Sequence, residues 1–212
     1  MNKREFSFKR LSDVAKLNFY FQFYALELHT MNTPVYAEKI TSLSDARYFA
    51  GMGVRWLGVC VNPSDPAYLS PQRFREIAGW VAGPQFVLES EQLSESFSAA
   101  ALSEEYGISC FRINPVQKDM VAGFTFGIDG RHNPTEAIFS KAEFLILESA
   151  PLTDDVNNMI TLIPAPNVPK EAEEILLKNP KVGFIISGSA EAAVGLKEYD
   201  AREFLEFLDD RD

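Results

Sequence analysis

Four side chains that can move a proton or hold an anion stand at or just after the ends of apolar runs. Arg112 lies near the end of one run, Asp129 and His132 follow a second, and Glu148 follows a third. A carboxyl group or an imidazole can act as a general acid or base, and a guanidinium can hold an anion. If these runs are strands of one parallel sheet, the four side chains would surround one mouth and could support a reaction.

Each of these residues also has a simpler interpretation. Asp129 and His132 enclose a glycine and an arginine, and such sequences often form turns. Glu148 could be a solvated residue at a strand end, and Arg112 could be a paired arginine at the surface. The residues alone leave both interpretations open.

Strand-like runs alternate with helix-like stretches from Pro34 onward, and these elements must position the candidate residues. Ser70-Pro71 is typical of a helix start, and Gly53 of a left-handed helix end. The predicted strands are residues 35–41, 56–62, 85–88, 109–113, 124–128, 143–147, 160–163 and 182–186. The predicted helices lie at residues 44–52, from 70 onward, from 93 to a stop at Gly107, 134–141, 169–179 and 202–208.

This alternation predicts an α/β fold with eight β–α units. Short strands separated by helices pair in parallel through right-handed crossovers, so we expect a (β/α)8 TIM barrel with a closed parallel sheet over residues 34–212. The barrel would be compact, because ~250 residues are typical of the fold. An open doubly wound sheet is the structural alternative, although neither GxGxxG nor GxxxxGK[ST] occurs in the chain.

Residues 1–33 are predicted to form an N-terminal extension outside the barrel. Basic residues precede an apolar run over residues 17–28, which Asn18, Gln22 and Glu27 interrupt. The run is too short and too polar to span a membrane, and no cleavage site of a signal peptide follows it. The competing interpretation is an amphipathic helix that caps the bottom of the barrel.

The charge balance limits the partners. The formal net charge is -10, and the isoelectric point is about 4.8. Such a surface repels nucleic acid and anionic lipid, so we expect neither nucleic acid nor a membrane as a partner. A small phosphorylated metabolite remains a candidate ligand if backbone N–H groups bind it. The oligomeric state stays open.

The cysteines and histidines indicate no metal site and no cofactor. Cys60 and Cys110 lie in apolar runs without a CxxC pair, as small core residues of a reducing, cytoplasmic protein do. His29 and His132 are far apart and lack the spacing of metal ligands.

Phosphate could bind where a barrel of this type usually binds it, in the loops after strands seven and eight. Ser187-Gly188-Ser189, followed by a helix-compatible Ala190-Glu-Ala-Ala, offers hydroxyl donors and a main chain that phosphate can approach. A plain turn capped by serine is weighed equally. The loop after strand seven argues against phosphate, because Pro164, Pro166 and Pro169 have no N–H to donate.

Motifs at both ends of the chain resemble phosphoribosylanthranilate isomerase. Order and spacing agree from about residue 35 to 208, whereas the middle third agrees only in its rhythm of strands and helices. The matching segments are Lys39-Ile-Thr-Ser42, Asp45-Ala46, Gly53, Leu57-Gly58-Val59, Pro63-Ser64, Tyr68-Leu69-Ser70-Pro71, Ser187-Gly-Ser-Ala-Glu191, Gly195, Lys197 and Phe204.

The resemblance implies an Amadori rearrangement of an aminoaldose phosphate to an aminoketose phosphate, a step of tryptophan and thus amino-acid biosynthesis. That reaction needs a general base and a general acid. The family's base, a cysteine, falls on Thr41, and its acid, an aspartate, falls on Glu148. An alcohol has a pKa far above neutrality, so Thr41 cannot act as a base unaided, whereas Glu148 could donate a proton.

The resemblance also implies an arginine for the anthranilate carboxylate, and that position is Ala67. Arg112, where the family has Gln-Leu-His-Gly, is the candidate replacement cation and thus the predicted substrate-binding residue.

Three functions follow from these observations. The first is an isomerase with altered residues, and the second is a catalytically silent barrel that binds a ligand or a partner. The third is a different reaction that uses Glu148, Arg112, Asp129 and His132. The replaced base and arginine predict no measurable isomerisation of phosphoribosylanthranilate.

Overall fold

The computed structural model describes residues 31–90, 98–131, 142–150, 159–188, 191–193, 196–197 and 200–211. Eight of its strands form a closed barrel in sequence order, and every neighbouring pair is parallel, including β8 with β1. The predicted (β/α)8 TIM barrel is therefore confirmed, and the open sheet is excluded. The barrel strands are β1 (Val35–Glu38), β2 (Trp56–Cys60), β3 (Gln85–Glu89), β4 (Cys110–Ile113), β5 (Thr125–Asp129), β6 (Phe144–Ile146), β7 (Ile160–Pro164) and β8 (Val182–Ser187).

Five α-helices surround the sheet in the described residues, and the predicted signals stand at the start of the second and at the ends of the first and third. Ser70 caps the second helix by accepting from the backbone N–H of Arg73, and Gly53 and Gly107 adopt left-handed φ values of 74° and 71°. The helices are α1 (Leu43–Gly51), α2 (Pro71–Ala78), α3 (Ala99–Tyr106), α4 (Pro169–Lys178) and α5 (Asp200–Arg211). The start of the helix predicted from residue 93 and the whole helix predicted at residues 134–141 lie outside the described residues.

Two connections differ from the expectation. A 3-10 helix (Pro115–Val121) joins β4 to β5. After β8, β9 (Glu191–Ala193) pairs antiparallel with β10 (Leu196–Lys197), so residues 191–193, whose sequence is compatible with a helix, form a strand instead. Gly195 leaves too few residues for a helix there, because a stable helix needs several turns.

Strand β1 is shorter than predicted. It ends at Glu38, and the next residue, Lys39, has a left-handed φ of 56°. That conformation carries the chain out of the strand, so Thr41 lies beyond it, directly before Ser42, the N-cap of α1.

Apolar side chains fill the barrel in two separate groups. An outer cluster joins the strands to the helices. An inner cluster contains strand residues only, and these alternate with outer residues along each strand, as the period of a barrel strand requires. The buried members of the inner cluster are Tyr36, Trp56, Val87, Cys110, Phe144, Ile146, Leu162 and Ile185.

The predicted N-terminal extension lies almost entirely outside the described residues. Its first described residue, Met31, is buried in the outer cluster, and its N–H donates to the carbonyl of Gly53 at 3.4 Å. Among the described residues, no helix is both long and apolar enough to cross a membrane.

Candidate functional site

A network of charged side chains closes the carboxyl end of the barrel above the inner apolar cluster. Arg112 of β4 is 4% exposed, and its Nη1 lies 2.6 Å from Oε2 of Glu38 and 3.3 Å from Oε1 of Glu89. Glu38 ends β1 and Glu89 ends β3, so one guanidinium joins the ends of three strands. Arg112 is thus paired, as the simpler interpretation held, but the surface position of that interpretation is wrong.

The charge of Arg112 is maintained by its carboxylate partners. Burial alone would lower the pKa of Arg112, but the neighbouring Glu89 and Glu38 raise it above its ordinary value. The guanidinium also stands 6.0 Å from the ring centroid of Tyr36. This arginine is a cation at any physiological pH.

The carboxylate of Glu89 is buried, and neighbouring residues hydrogen-bond to both of its oxygens. Its Oε1 accepts from the hydroxyl of Tyr36 at 2.7 Å, and its Oε2 accepts from the backbone N–H of Lys39 at 3.2 Å. A Cβ at Gly58 would overlap this carboxylate, so only glycine leaves room for it. Burial raises the pKa of Glu89, while the charge of Arg112 opposes that rise.

A second arginine closes the network over β5. Arg131 donates through Nε and Nη2 to the two oxygens of Asp129, at 3.0 and 2.6 Å, and its Nη2 lies 3.6 Å from Glu38. Burial raises the pKa of Asp129, but the hydrogen bonds from Arg131 and the charge of Arg112 outweigh it and lower the pKa overall. Asp129, a candidate catalytic residue from the sequence, is therefore an ionised carboxylate that binds Arg131.

Lys39 and Asp65 form the rim beside β2. The ammonium of Lys39 lies 3.0 Å from Asp65, whose other oxygen accepts from the backbone N–H of Ala67 at 2.8 Å. The neighbouring Cys60 is buried and free, and burial raises the pKa of its thiol to about 11. Cys110 is likewise buried and free, so both predicted core cysteines are confirmed.

The network carries little net charge. Four carboxylates (Glu38, Asp65, Glu89 and Asp129) surround three cations (Lys39, Arg112 and Arg131), which gives a formal charge of −1 when all are ionised. Each described cation of the mouth is already paired with a carboxylate. No group of three or more potential metal ligands was found among the described residues.

The structure does not bring the two predicted catalytic positions together in one contact. Thr41 is half-buried and lies three residues beyond the end of β1, while Glu148 is exposed, two residues beyond the end of β6. The side chain that ends β1 on the inner face is Glu38, since it alternates with the inner residue Tyr36. His132 lies outside the described residues.

The predicted phosphate loop is used by the fold itself. The N–H of Gly188 donates to the carbonyl of Glu38 at 2.6 Å, and a Cβ at Gly188 would overlap that carbonyl and the side chain of Ile40. Gly188 thus lets β8 approach β1. Ser187 pairs with Glu38 across the same strands, and Ser189 lies outside the described residues.

The sequence interpretation missed Glu38, Glu89 and Arg131. One signal was available: Glu38 stands two residues after Tyr36, and Glu89 two after Val87, so strand alternation directs both carboxylates inward. The sequence could not show that Arg112, on a third strand, contacts both of these carboxylates.

Comparison with known proteins gives a structural answer only. No protein-family model matches the chain, and no curated protein matches it. Solved structures do match. The phosphoribosylanthranilate isomerase from Thermus thermophilus is 20% identical, with a TM-score of 0.63 over 84% of this chain and 97% of that one. The enzyme from Pyrococcus furiosus is 18% identical, with a TM-score of 0.60 over 84% of this chain and 100% of that one.

A third neighbour was solved with a phosphorylated compound. This phosphoribosylanthranilate isomerase, in complex with reduced 1-(o-carboxyphenylamino)-1-deoxyribulose 5-phosphate, is 14% identical, with a TM-score of 0.64 over 83% of this chain and 98% of that one. The resemblance seen in the sequence motifs therefore extends to the whole barrel, and this chain has the fold of the phosphoribosylanthranilate isomerases.

Proposed function

We propose that this chain is a phosphoribosylanthranilate isomerase-like barrel that no longer isomerises phosphoribosylanthranilate and binds a different small ligand at its mouth. The observation that carries the proposal is the network of Glu38, Arg112 and Glu89, which joins the ends of β1, β3 and β4. A cytoplasmic location is part of the proposal.

The first supporting argument is the missing base. Family chemistry implies a thiol where this chain has Thr41, and an alcohol cannot take up the proton. Cys60 does not replace that thiol, because burial raises its pKa to about 11 and keeps it protonated at neutral pH.

The second argument is electrostatic. Phosphoribosylanthranilate carries a carboxylate and a phosphate, whereas the mouth has a formal charge of −1. Ala67 offers the carboxylate no charge, and Arg112 is already held by two glutamates. A ligand anion at Arg112 would also stand beside the two carboxylates that pair with it, and like charges at such a distance repel.

The third argument concerns the phosphate itself. The N–H of Gly188 is occupied by the carbonyl of Glu38, and Pro164, Pro166 and Pro169 provide no N–H in the neighbouring loop. The helix that would have pointed its N-terminus at a phosphate is replaced by a hairpin.

A second candidate function is an isomerase in which carboxylates do the work. Glu38 is 21% exposed at the end of β1, and Glu148 is exposed after β6, so two carboxyl groups stand on different strands of the mouth. Glu38 would be the base and Glu148 the acid, on a sugar phosphate or a related aldose.

Direct assay of the purified full-length protein with phosphoribosylanthranilate tests the proposal, with the Thermus thermophilus enzyme as the positive control. We expect no turnover above the spontaneous rate, and no growth of a tryptophan auxotroph that lacks the isomerase and expresses this chain. Turnover that disappears in both Glu38→Gln and Glu148→Gln would instead establish the carboxylate isomerase.

A further inference from the structure

One nitrogen of the buried Arg112 guanidinium, Nη2, is not used in its ion pairs with the described residues. Its contacts run through Nη1, to Glu38 and Glu89, and through Nε, which lies 3.9 Å from Asp129. In the described part of the chain no acceptor reaches Nη2. Nη2 is not a fully buried atom without a partner, so it keeps some exposure to solvent.

One carboxylate oxygen of Glu38, Oε1, has no donor among the described residues. Both of its cationic neighbours, Arg112 at 2.6 Å and Arg131 at 3.6 Å, approach Oε2. No donor among the described residues approaches Oε1, and the side chain is 21% exposed. An open acceptor and an open donor therefore belong to two side chains that touch each other.

The other carboxylates of the network are saturated. Glu89 uses Oε1 for Tyr36 and Oε2 for the N–H of Lys39. Asp129 uses both oxygens for Arg131. Among the described carboxylates of the network, Glu38 is thus the one with an oxygen that no donor approaches.

We propose that Glu38 and Arg112 form the binding site for an uncharged polyhydroxylated ligand, a free sugar or a polyol. One hydroxyl donates to Oε1 of Glu38, and the same or an adjacent hydroxyl accepts from Nη2 of Arg112. A hydroxyl group is both donor and acceptor, so vicinal hydroxyls match this pair without disturbing the ion pairs beneath it. This inference rests on the proposed function, because it assigns the mouth to a ligand other than phosphoribosylanthranilate.

The charge of the network favours a neutral ligand over an anion. Arg112 is compensated by Glu38 and Glu89, so an added anion meets no free cation there. A hydroxyl replaces the water that solvates these groups at little electrostatic cost. The occupied N–H of Gly188 removes a donor that a phosphorylated sugar would need.

Binding to the full-length protein is measured by isothermal titration calorimetry and by ligand-observed NMR. The probes are D-ribose, xylitol, D-ribose 5-phosphate and inorganic phosphate. We expect saturable binding of ribose or xylitol, and weaker binding of ribose 5-phosphate and phosphate. Glu38→Gln should weaken the binding of the neutral probe by about tenfold, because a hydrogen bond to a charged acceptor becomes one to a neutral amide.

The matched control is Glu104→Gln, which neutralises an exposed carboxylate on α3 and should leave the affinity unchanged. Circular dichroism of each variant shows whether the barrel is folded, and Glu38→Asp serves as a second variant if Glu38→Gln does not fold. The inference is overturned if no neutral probe binds, if ribose 5-phosphate binds more tightly than ribose, or if Glu38→Gln binds as well as the parent. The isomerase assay reads a different property, so either proposal can fail alone.

Discussion

The lower and upper halves of the barrel interior are built from different chemistry on the same strands. In the lower half, the ring of Phe144 packs at centroid distances of 4.9 Å from Trp56 and 5.4 Å from Tyr36, and all three side chains are fully buried. In the upper half, Glu38, Glu89 and Arg112 stand one alternation further along their strands. Tyr36 joins the halves, since its ring packs below and its hydroxyl donates to Glu89 above.

The difference separates what supports the fold from what a ligand can meet. An aromatic interior gains stability from buried area, whereas a buried ion pair gains little net stability and becomes expensive once broken. In barrels of this kind the carboxyl end carries function and the rest carries stability. The upper half is thus where we expect a ligand to bind, and variants can test the two halves separately.

The largest effect is expected from Arg112→Met. Methionine keeps much of the side-chain volume but leaves Glu38 and Glu89 without their cation, and Glu89 is only 3% exposed. We expect a loss of about 3–5 kcal/mol in the free energy of unfolding at pH 7. Urea titration followed by tryptophan fluorescence measures it.

Two further variants test whether this loss of stability comes from the buried charges. Arg112→Met combined with Glu89→Gln should recover part of the loss, because the amide needs no cation. Arg131→Gln should cost less, since the Arg131 side chain is 21% exposed and Arg112 remains. A loss below about 1 kcal/mol for Arg112→Met would show that the buried network has no structural weight.

The next largest effect is expected from Gly58→Ala, which acts at the boundary of the two halves. The new Cβ overlaps the carboxylate of Glu89 and crowds the hydroxyl of Tyr36. Overpacking of this kind costs about 1–3 kcal/mol in the free energy of unfolding. Gly51→Ala is the matched control, because no atom lies within 4 Å of a Cβ at that helical position. Equal stability of the two variants would argue against a carboxylate beside Gly58.

A smaller effect, dependent on pH, is expected from Asp129→Asn. The folded pKa of Asp129 lies below its ordinary value, so its ionised form stabilises the folded state above about pH 3.8. The variant should lose about 1–2 kcal/mol at pH 7. This deficit should shrink as the pH falls below 3.8 and the parent carboxylate becomes protonated.

The pH dependence of stability expected from Glu89 has the opposite sign. Its folded pKa is raised, so it favours the folded state at low pH, and that contribution is lost as the pH rises from about 4.5 through the folded pKa. Glu89→Gln should therefore flatten a decline in stability that Asp129→Asn leaves in place. Parallel pH profiles for the two variants would contradict the assignment of their shifts.

Much of the fold could be predicted from the sequence because its signals are local. Ser70-Pro71, Gly53 and Gly107 mark helix ends wherever they occur, and the eight apolar runs give the strands. Strand ends were less accurate, as the left-handed Lys39 shows, because nothing in its residue type requires that conformation. The pair of strands after β8 could not be predicted for a related reason. Its sequence is compatible with a helix, and the antiparallel pairing of β9 with β10 determines that it forms strands.

The site was harder to predict because it depends on distant contacts. Alternation along a strand could have placed Glu38 and Glu89 inside the barrel, but their bonds to Arg112 join residues 74 positions apart in one case. The family motif places its base at Thr41, whereas closure of the sheet places Glu38 at the end of β1. Sequence spacing alone carries no information on which strands face each other across a lumen.

The smallest effect is expected from restoring the family's residues to the upper half. Thr41→Cys, alone or with Ala67→Arg, supplies the thiol and the cation that the resemblance implies, but it leaves Glu38, Arg112 and Glu89 in place. If that network defines the mouth, neither variant should isomerise phosphoribosylanthranilate above the spontaneous rate, as measured by the fluorescence of the substrate in a coupled assay. The parent protein and a folded Thr41→Ser variant are the controls. Appearance of activity in Thr41→Cys would mean that the mouth is still organised for the family's substrate, and that the lost thiol, rather than the charged network, is what separates this barrel from the isomerases.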